Sequence, residues 1–233
     1  MCVYDEKTDT YNNIIFAPCI LYNETNSALS MKGSTNNFYS FIQKMYIHTP
    51  KEFISSKNVL LRILMKGMTN MNEKEINCLK IKSIEKISLP FVDNKDIFYQ
   101  ISAIKKKSKF ENTTNLVLKV HFTVFNHMNS DIFLIPSNIK INDDESFFSD
   151  NKEIKEFRIC CKSNRKSYIY MSNLEGKFTF CIKNYEMCND VNFNNQTTTV
   201  FRLISQIKDK FNLLIQLDVI KEEGGFCGHF SYA

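Results

Sequence analysis

Short runs in which apolar and polar side chains alternate occupy most of the chain. The alternation is regular over residues 59–65, 97–103 and 178–182, and a longer run over residues 116–125 is the strongest strand candidate. Polar turns separate such runs about every 8 to 12 residues. This spacing predicts a mainly β protein of the β-sandwich type.

Two segments have a helical pattern instead. The apolar residues of segment 38–45 fall on one face of a helix, and so do those of segment 200–211, which follows three threonines suited to capping a helix. Segment 213–220 is apolar enough to form a buried strand directly afterwards. We therefore expect one or two short helices packed on the sheets.

A charged segment with few apolar residues, 105–115, lies near the middle of the 233-residue chain. It predicts a boundary between two domains, residues 1–111 and residues 112–233, each the size of a small sandwich. The halves show no clear sequence repeat. The expected architecture is two tandem β-sandwich domains with one or two short helices.

The basic charge of the chain comes from lysine. Lysine and arginine together number 30 against 25 acidic residues, for a net charge of +5, and the arginines are only Arg62, Arg158, Arg165 and Arg202. Arginine makes most bidentate contacts to nucleic acids, so this balance argues against a nucleic-acid partner. The run 105–109 is interpreted as a solvated turn.

The sequence predicts no membrane span, because no run reaches about 18 apolar residues. Its first residues lack a basic patch followed by an apolar stretch, so no signal peptide is recognised. The chain is expected to be either cytosolic or a mature secreted form.

Cysteine is frequent, and its wide spacing without a C-x-x-C pair favours disulfides over a metal site. The alternative is buried thiols in a reducing compartment. Three cysteines precede the expected boundary and five follow it, so either a bridge crosses the halves or each half has an unpaired thiol; Cys2, Cys19 or Cys78 would then be available to a partner protein. The disulfide candidates are Cys2, Cys19, Cys78, Cys160, Cys161, Cys181, Cys188 and Cys227.

Three triplets match the acceptor pattern for N-glycans, at Asn23, Asn112 and Asn195. An asparagine-rich chain contains such triplets by chance. The triplets are candidate glycosylation sites, but they do not by themselves argue for secretion.

The sequence contains no phosphate-binding loop, dinucleotide-binding fingerprint or nucleophile elbow. We predict no catalytic residue, no cofactor and no metal site. Cys227 and His229, two residues apart, could serve a thiol hydrolase, but a catalytic pair usually comes from distant segments. A glycine turn that leads into a closing strand with a bridged cysteine also accounts for segment 224–229.

Strands that end in a cysteine near the close of a domain, at residues 178–181 and 225–227, occur together with the adjacent Cys160 and Cys161. In these features the chain resembles the six-cysteine (s48/45-type) surface proteins of malaria parasites, in which tandem domains each carry disulfides. The first half has few cysteines and no C-x-C pair occurs, so the resemblance is to a degenerate member.

The resemblance implies a secreted, non-enzymatic adhesion or scaffold protein in a parasite surface or host-cell-invasion complex. It implies a location on the parasite surface or in apical secretory organelles. The implied partners are a membrane-anchored thrombospondin-related protein, with an intermolecular disulfide as one mode of attachment, and an EGF-repeat invasion ligand.

Tyr168 and Tyr170 are the candidate protein contacts, because tyrosine is frequent at interfaces. Packing of both rings on the sheet is the alternative. A cytosolic β-sandwich adaptor with reduced cysteines is the other reading of the whole chain.

Overall fold

The computed structural model describes residues 2–5, 10–13, 19–32, 38–47, 59–63, 73–76, 81–91, 94–109, 113–141, 147–148 and 151–233. Within these residues the backbone forms strands and one short helix, α1 (Lys152–Phe157). The strands are β1 (Cys2–Asp5), β2 (Thr10–Asn13), β3 (Cys19–Glu24), β4 (Leu29–Lys32), β5 (Phe38–Phe41), β6 (Lys44–Ile47), β7 (Val59–Ile63), β8 (Glu73–Ile76), β9 (Ile84–Pro90), β10 (Phe98–Lys106), β11 (Thr114–Val120), β12 (Phe122–Asn126), β13 (Ile132–Pro136), β14 (Ile159–Cys161), β15 (Arg165–Ile169), β16 (Met171–Ser172), β17 (Lys177–Ile182), β18 (Cys188–Asn192), β19 (Thr197–Leu203), β20 (Leu213–Glu222) and β21 (Gly225–Tyr232).

The chain is mainly β, as the alternation of apolar and polar positions predicts. The regular runs correspond to β7, β10 and β17, and the apolar segment 213–220 lies within β20. The long run 116–125 forms two strands, β11 and β12, because the chain changes from one sheet to another at His121.

Both predicted helices are wrong. Segment 38–45 contains β5 and the start of β6, and segment 200–211 contains the end of β19 and the loop after it. The threonines and valine of β19 favour an extended backbone, and the strand pairs with β20 along its whole length. Helix α1, the one helix among the residues that the structure describes, lies where the sequence pattern predicted none.

The strand order of the first half occurs again in the second half. The first half has one sheet with the order β9-β10-β11-β3-β6, in which the short strand β16 also pairs with β10, and another with β5-β4-β7-β8. The corresponding orders in the second half are β19-β20-β21-β12-β15 and β14-β13-β17-β18. In each half the pair β3 with β11, or β12 with β21, is parallel. One topology is therefore present twice, although the sequence shows no repeat.

The largest buried cluster lies between the two sheets of the second half. Phe122 and Phe230 contribute to it from the five-stranded sheet, and Phe178 and Phe180 from the four-stranded sheet. These sheets therefore pack face to face around one core. Helix α1 covers the opposite side of the four-stranded sheet, where its Phe157 is buried in a second cluster.

His121 is the single residue between β11 and β12. Its N–H donates to the carbonyl of Gln100 in β10 at 3.1 Å, and its carbonyl accepts from the N–H of Phe226 in β21 at 2.9 Å. One residue thus makes backbone hydrogen bonds to both halves. The domain division between residues 111 and 112 stays a prediction.

Candidate protein-binding cleft

A cleft of about 580 Å³ lies beside this junction. Its walls come from the loop after β3, from β12 and β15, and from the turn between β20 and β21. Ile42, Val120, Tyr168 and Phe226 provide apolar surface in the cleft, and charged side chains lie among them. A mixed apolar and polar lining of this kind suits a segment of another protein.

Two lysine–glutamate pairs line the cleft. The Nζ atom of Lys119 lies 3.4 Å from Oε2 of Glu24, and Nζ of Lys166 lies 3.8 Å from Oε1 of Glu222. Because these side chains are partly solvated, the pairs contribute little to stability. Their charged groups can exchange this pairing for contacts with polar groups of a partner.

A third ion pair connects the two halves next to the cleft. Lys106 of β10 pairs with Glu223 in the turn between β20 and β21. The hydrogen bond from the lysine holds the pKa of the Glu223 carboxyl below its usual value. The glutamate therefore stays charged at neutral pH.

The two predicted contact residues, Tyr168 and Tyr170, lie together with a third tyrosine. The ring of Tyr170 stacks on Tyr168 at 6.4 Å and on Tyr99 at 5.8 Å, measured between ring centroids. Tyr99 is buried, its hydroxyl is 2.8 Å from Oγ of Ser27, and burial raises its pKa to about 12. Tyr168 lines the cleft, whereas Tyr170 supports it from the side of Tyr99.

The imidazole of His121 also lines the cleft. Its Nδ1 atom is 2.8 Å from Oγ of Ser102 and 3.1 Å from the carbonyl oxygen of Gly224. Because the carbonyl only accepts, the bonding pattern assigns a proton to Nδ1. Burial, with the positive charge of Lys86 as a second cause, lowers the pKa of His121 to about 4. The ring is therefore neutral at physiological pH.

Cys227 and His229 share the outer face of β21. Cys227 is only 1% exposed, and burial raises the pKa of its thiol. The Nδ1 atom of His229 lies 3.0 Å from Nε2 of His127, and the ring of His127 stacks on Phe125 at 4.3 Å. The turn between β20 and β21 and strand β21 itself confirm the predicted glycine turn and closing strand. The structure contains no disulfide at Cys227.

In the structure, no disulfide joins Cys160, Cys161, Cys181 or Cys227 to another cysteine. Burial raises the pKa of Cys161 and of Cys181 to about 12. Thiols with such pKa values are protonated at neutral pH and react slowly.

The strand register separates two of these cysteines. Phe133 of β13 lies between the two cysteines: it is paired with Cys160 of β14 on one side and with Cys181 of β17 on the other. Two strand spacings of about 4.8 Å each therefore separate Cys160 from Cys181. This separation exceeds the Cα–Cα span of a disulfide. Cys78 lies outside the described residues, and the disulfide framework as a whole stays a prediction.

The glycosylation candidates have different surroundings. Asn23 is buried, with its Nδ2 donating to the carbonyl of Ser27 at 2.7 Å and its Oδ1 accepting from the N–H of Thr25 at 3.0 Å. A glycan on Nδ2 would alter this arrangement. Asn195 is exposed in the turn before β19, and Asn112 lies outside the described residues.

The sequence did not predict the ion pairs, Tyr99 or the position of His121. These contacts join residues far apart in the chain, and no local pattern indicates them. In the sequence, His121 lies between the apolar residues Val120 and Phe122 and alternates away from their face, and this is the only sequence signal that it could make polar contacts.

A scan against protein-family models finds no match, and no curated protein is similar enough to the chain to indicate a relationship. Across the described ranges, no helix is long and apolar enough to cross a membrane. The same residues contain no group of three or more histidine, cysteine and acidic side chains placed to hold a metal ion.

Proposed function

We propose that the chain is a non-enzymatic protein-binding module and that the cleft at the junction receives a segment of its partner. The observation that carries the proposal is that Tyr168 lines the same cleft of about 580 Å³ as two solvated ion pairs. Tyrosine contributes strongly to binding when a partner desolvates it inside a polar rim. The stack with Tyr170 orients its ring before binding.

We further propose that the chain is a secreted member of the six-cysteine surface proteins, built as tandem β-sandwich domains. The cysteine content and the repeated strand order support this proposal. Its place would be a parasite surface or host-cell-invasion complex, and its partners the thrombospondin-related protein and the EGF-repeat ligand.

Two alternatives make different demands on the cysteines. A cytosolic adaptor would use the same cleft with all thiols reduced. A thiol hydrolase would need an accessible thiolate at Cys227, and burial with a raised pKa disfavours one there. Fast, stoichiometric alkylation of Cys227 at neutral pH would favour the hydrolase over the binding module.

The test measures binding of the purified chain to purified ectodomains of the two proposed partners by biolayer interferometry. Tyr168→Ala should raise the dissociation constant at least about tenfold, because truncation of a central interface tyrosine costs more than about 1.4 kcal/mol. Tyr232→Ala is the matched control, since Tyr232 is exposed at the far end of β21. Absence of binding, or binding that Tyr168→Ala leaves unchanged, would contradict the proposal.

A further inference from the structure

Strand β19 forms one edge of the five-stranded sheet of the second half. In the part of the chain that the structure describes, no strand pairs with its outer side. Its register with β20 is continuous, so no bulge turns the edge away from a neighbour. Proteins commonly protect such an edge with lysine, proline or a bulge, and β19 contains only Arg202 as a charged residue.

The hydrogen bonds around β19 show which backbone groups face outward. Beyond the strand, the carbonyl of Ile204 accepts from the N–H of Glu186 at 3.0 Å, on the side away from β20. The N–H and C=O groups of alternate residues in a strand point to the same side. Those of Thr198, Val200 and Arg202 therefore also point outward.

The hydrogen bonds between β20 and β21 also show that the backbone groups of Arg202 point outward. Leu214, which lies across from Arg202, uses its carbonyl to accept from the N–H of Ala233 at 3.1 Å, on the side of β21. Leu214 and Arg202 therefore make no backbone hydrogen bonds to each other. The edge thus presents three residues whose backbone groups are directed at a further strand.

Apolar side chains are exposed along this edge. Val200 is 55% exposed and Leu214 52%, and Phe211 in the loop after β19 is 89% exposed. Ile204 and Ile207 add to the same region. The spacing of Val200, Ile204, Ile207 and Phe211 predicted a helix with one buried face, but in the strand and loop these residues are exposed.

We propose that β19 pairs antiparallel with β19 of a second copy of this chain, about a two-fold axis at Val200. This register uses all three outward-facing residues, because Val200 meets its own copy and Thr198 meets Arg202 of the second copy. Two exposed valine side chains lie together at the centre.

Charge complementarity selects a second copy as the occupant. The carboxylate of Asp218 accepts hydrogen bonds from Thr198 at 2.6 Å and from Gln216 at 2.8 Å, and these bonds lower its pKa. Arg202 of the second copy, opposite the short side chain of Thr198, is placed next to this carboxylate. The two-fold axis repeats the contact, so the pairing contains two such arginine–aspartate contacts.

The test is sedimentation velocity of the full chain over a concentration series, with a reductant present to exclude disulfide-linked dimers. The wild-type chain should show a reversible dimer. Val200→Lys places like charges at the axis and should raise the dimer dissociation constant at least about tenfold. Ile220→Lys is the matched control, since Ile220 is exposed on β20 away from the edge.

A charge exchange tests the register. Arg202→Asp and Asp218→Arg should each weaken the dimer, and the double variant should restore it, because these residues are not opposite each other within one chain. Circular dichroism checks that each variant is folded. Tyr168→Ala should leave the dimer unchanged, so this proposal and the cleft proposal fail independently.

Three outcomes would overturn the proposal. The first is a wild-type chain that stays monomeric at every concentration. This outcome also covers an edge that binds a strand of another protein but not β19 of a second copy. The second is a dimer that Val200→Lys does not weaken. The third is a double charge variant that does not recover the dimer.

Discussion

The imidazole of His121 stays neutral in the folded chain because burial lowers its pKa to about 4. In the unfolded chain its pKa is about 6.5. As the pH falls from about 6.5 to about 4, the unfolded chain therefore binds a proton that the folded chain does not. This difference should lower the free energy of unfolding by up to about 3 kcal/mol at acid pH.

Urea unfolding at several pH values measures this effect. His121→Asn keeps a side-chain donor but does not titrate, so its stability should change less than that of the wild type as the pH falls from about 6.5 to about 4. Gln196→Ala, at an exposed position with no titratable group, should keep the wild-type slope. Parallel pH profiles for the wild type and His121→Asn would contradict the assignment.

At the scale of elements, the turn between β20 and β21 lies directly against the junction of β11 and β12. A Cβ atom on Gly225 would overlap the backbone carbonyl oxygen of His121. Gly225→Ala should therefore destabilise the fold by about 2 kcal/mol, which lowers Tm by about 5 °C in a chain of this size. Differential scanning calorimetry measures the shift. Lys221→Ala in the exposed part of β20 is the control, and an equal Tm for Gly225→Ala and the wild type would refute the steric argument.

The alternating pattern predicted strands such as β10 and β17 because apolar side chains occupy every second position of each, although both faces of these strands are buried. It failed at β19 and the loop after it, where Val200, Ile204 and Ile207 have helical spacing but are exposed. Apolar periodicity indicates burial of a face, and an edge with exposed apolar residues breaks that assumption. The change of sheet at His121 was missed because apolar residues continue on both sides of it.

The candidate site was predictable only in part. Tyr168 was selected from the sequence as a contact residue, and the structure places it in the cleft. The stack of Tyr170 on Tyr99 depends on contacts between distant segments, and so do the lysine–glutamate pairs. Such contacts follow from strand order, and a single sequence contains no direct record of strand order.

At the scale of the whole molecule, the strand register limits the disulfide framework. Cys160 and Cys181 are separated by the strand that carries Phe133. Peptide mapping of the non-reduced protein should therefore find no bond between these two cysteines, whatever the oxidation state of the others. Reduced and alkylated protein provides the reference map. A Cys160–Cys181 cross-linked peptide from folded protein would show that the register of β13, β14 and β17 is different.

The parallel pairs β3–β11 and β12–β21 have a mechanical consequence. A pull between the start of β12 and the end of β21 acts along two parallel neighbours in opposite directions, so their inter-strand hydrogen bonds are sheared together rather than opened one by one. The pair β3–β11 has the same geometry, and only His121 separates β11 from β12. Tension along the chain therefore acts on two parallel strand pairs, one after the other, and each resists it by the shear of its inter-strand hydrogen bonds.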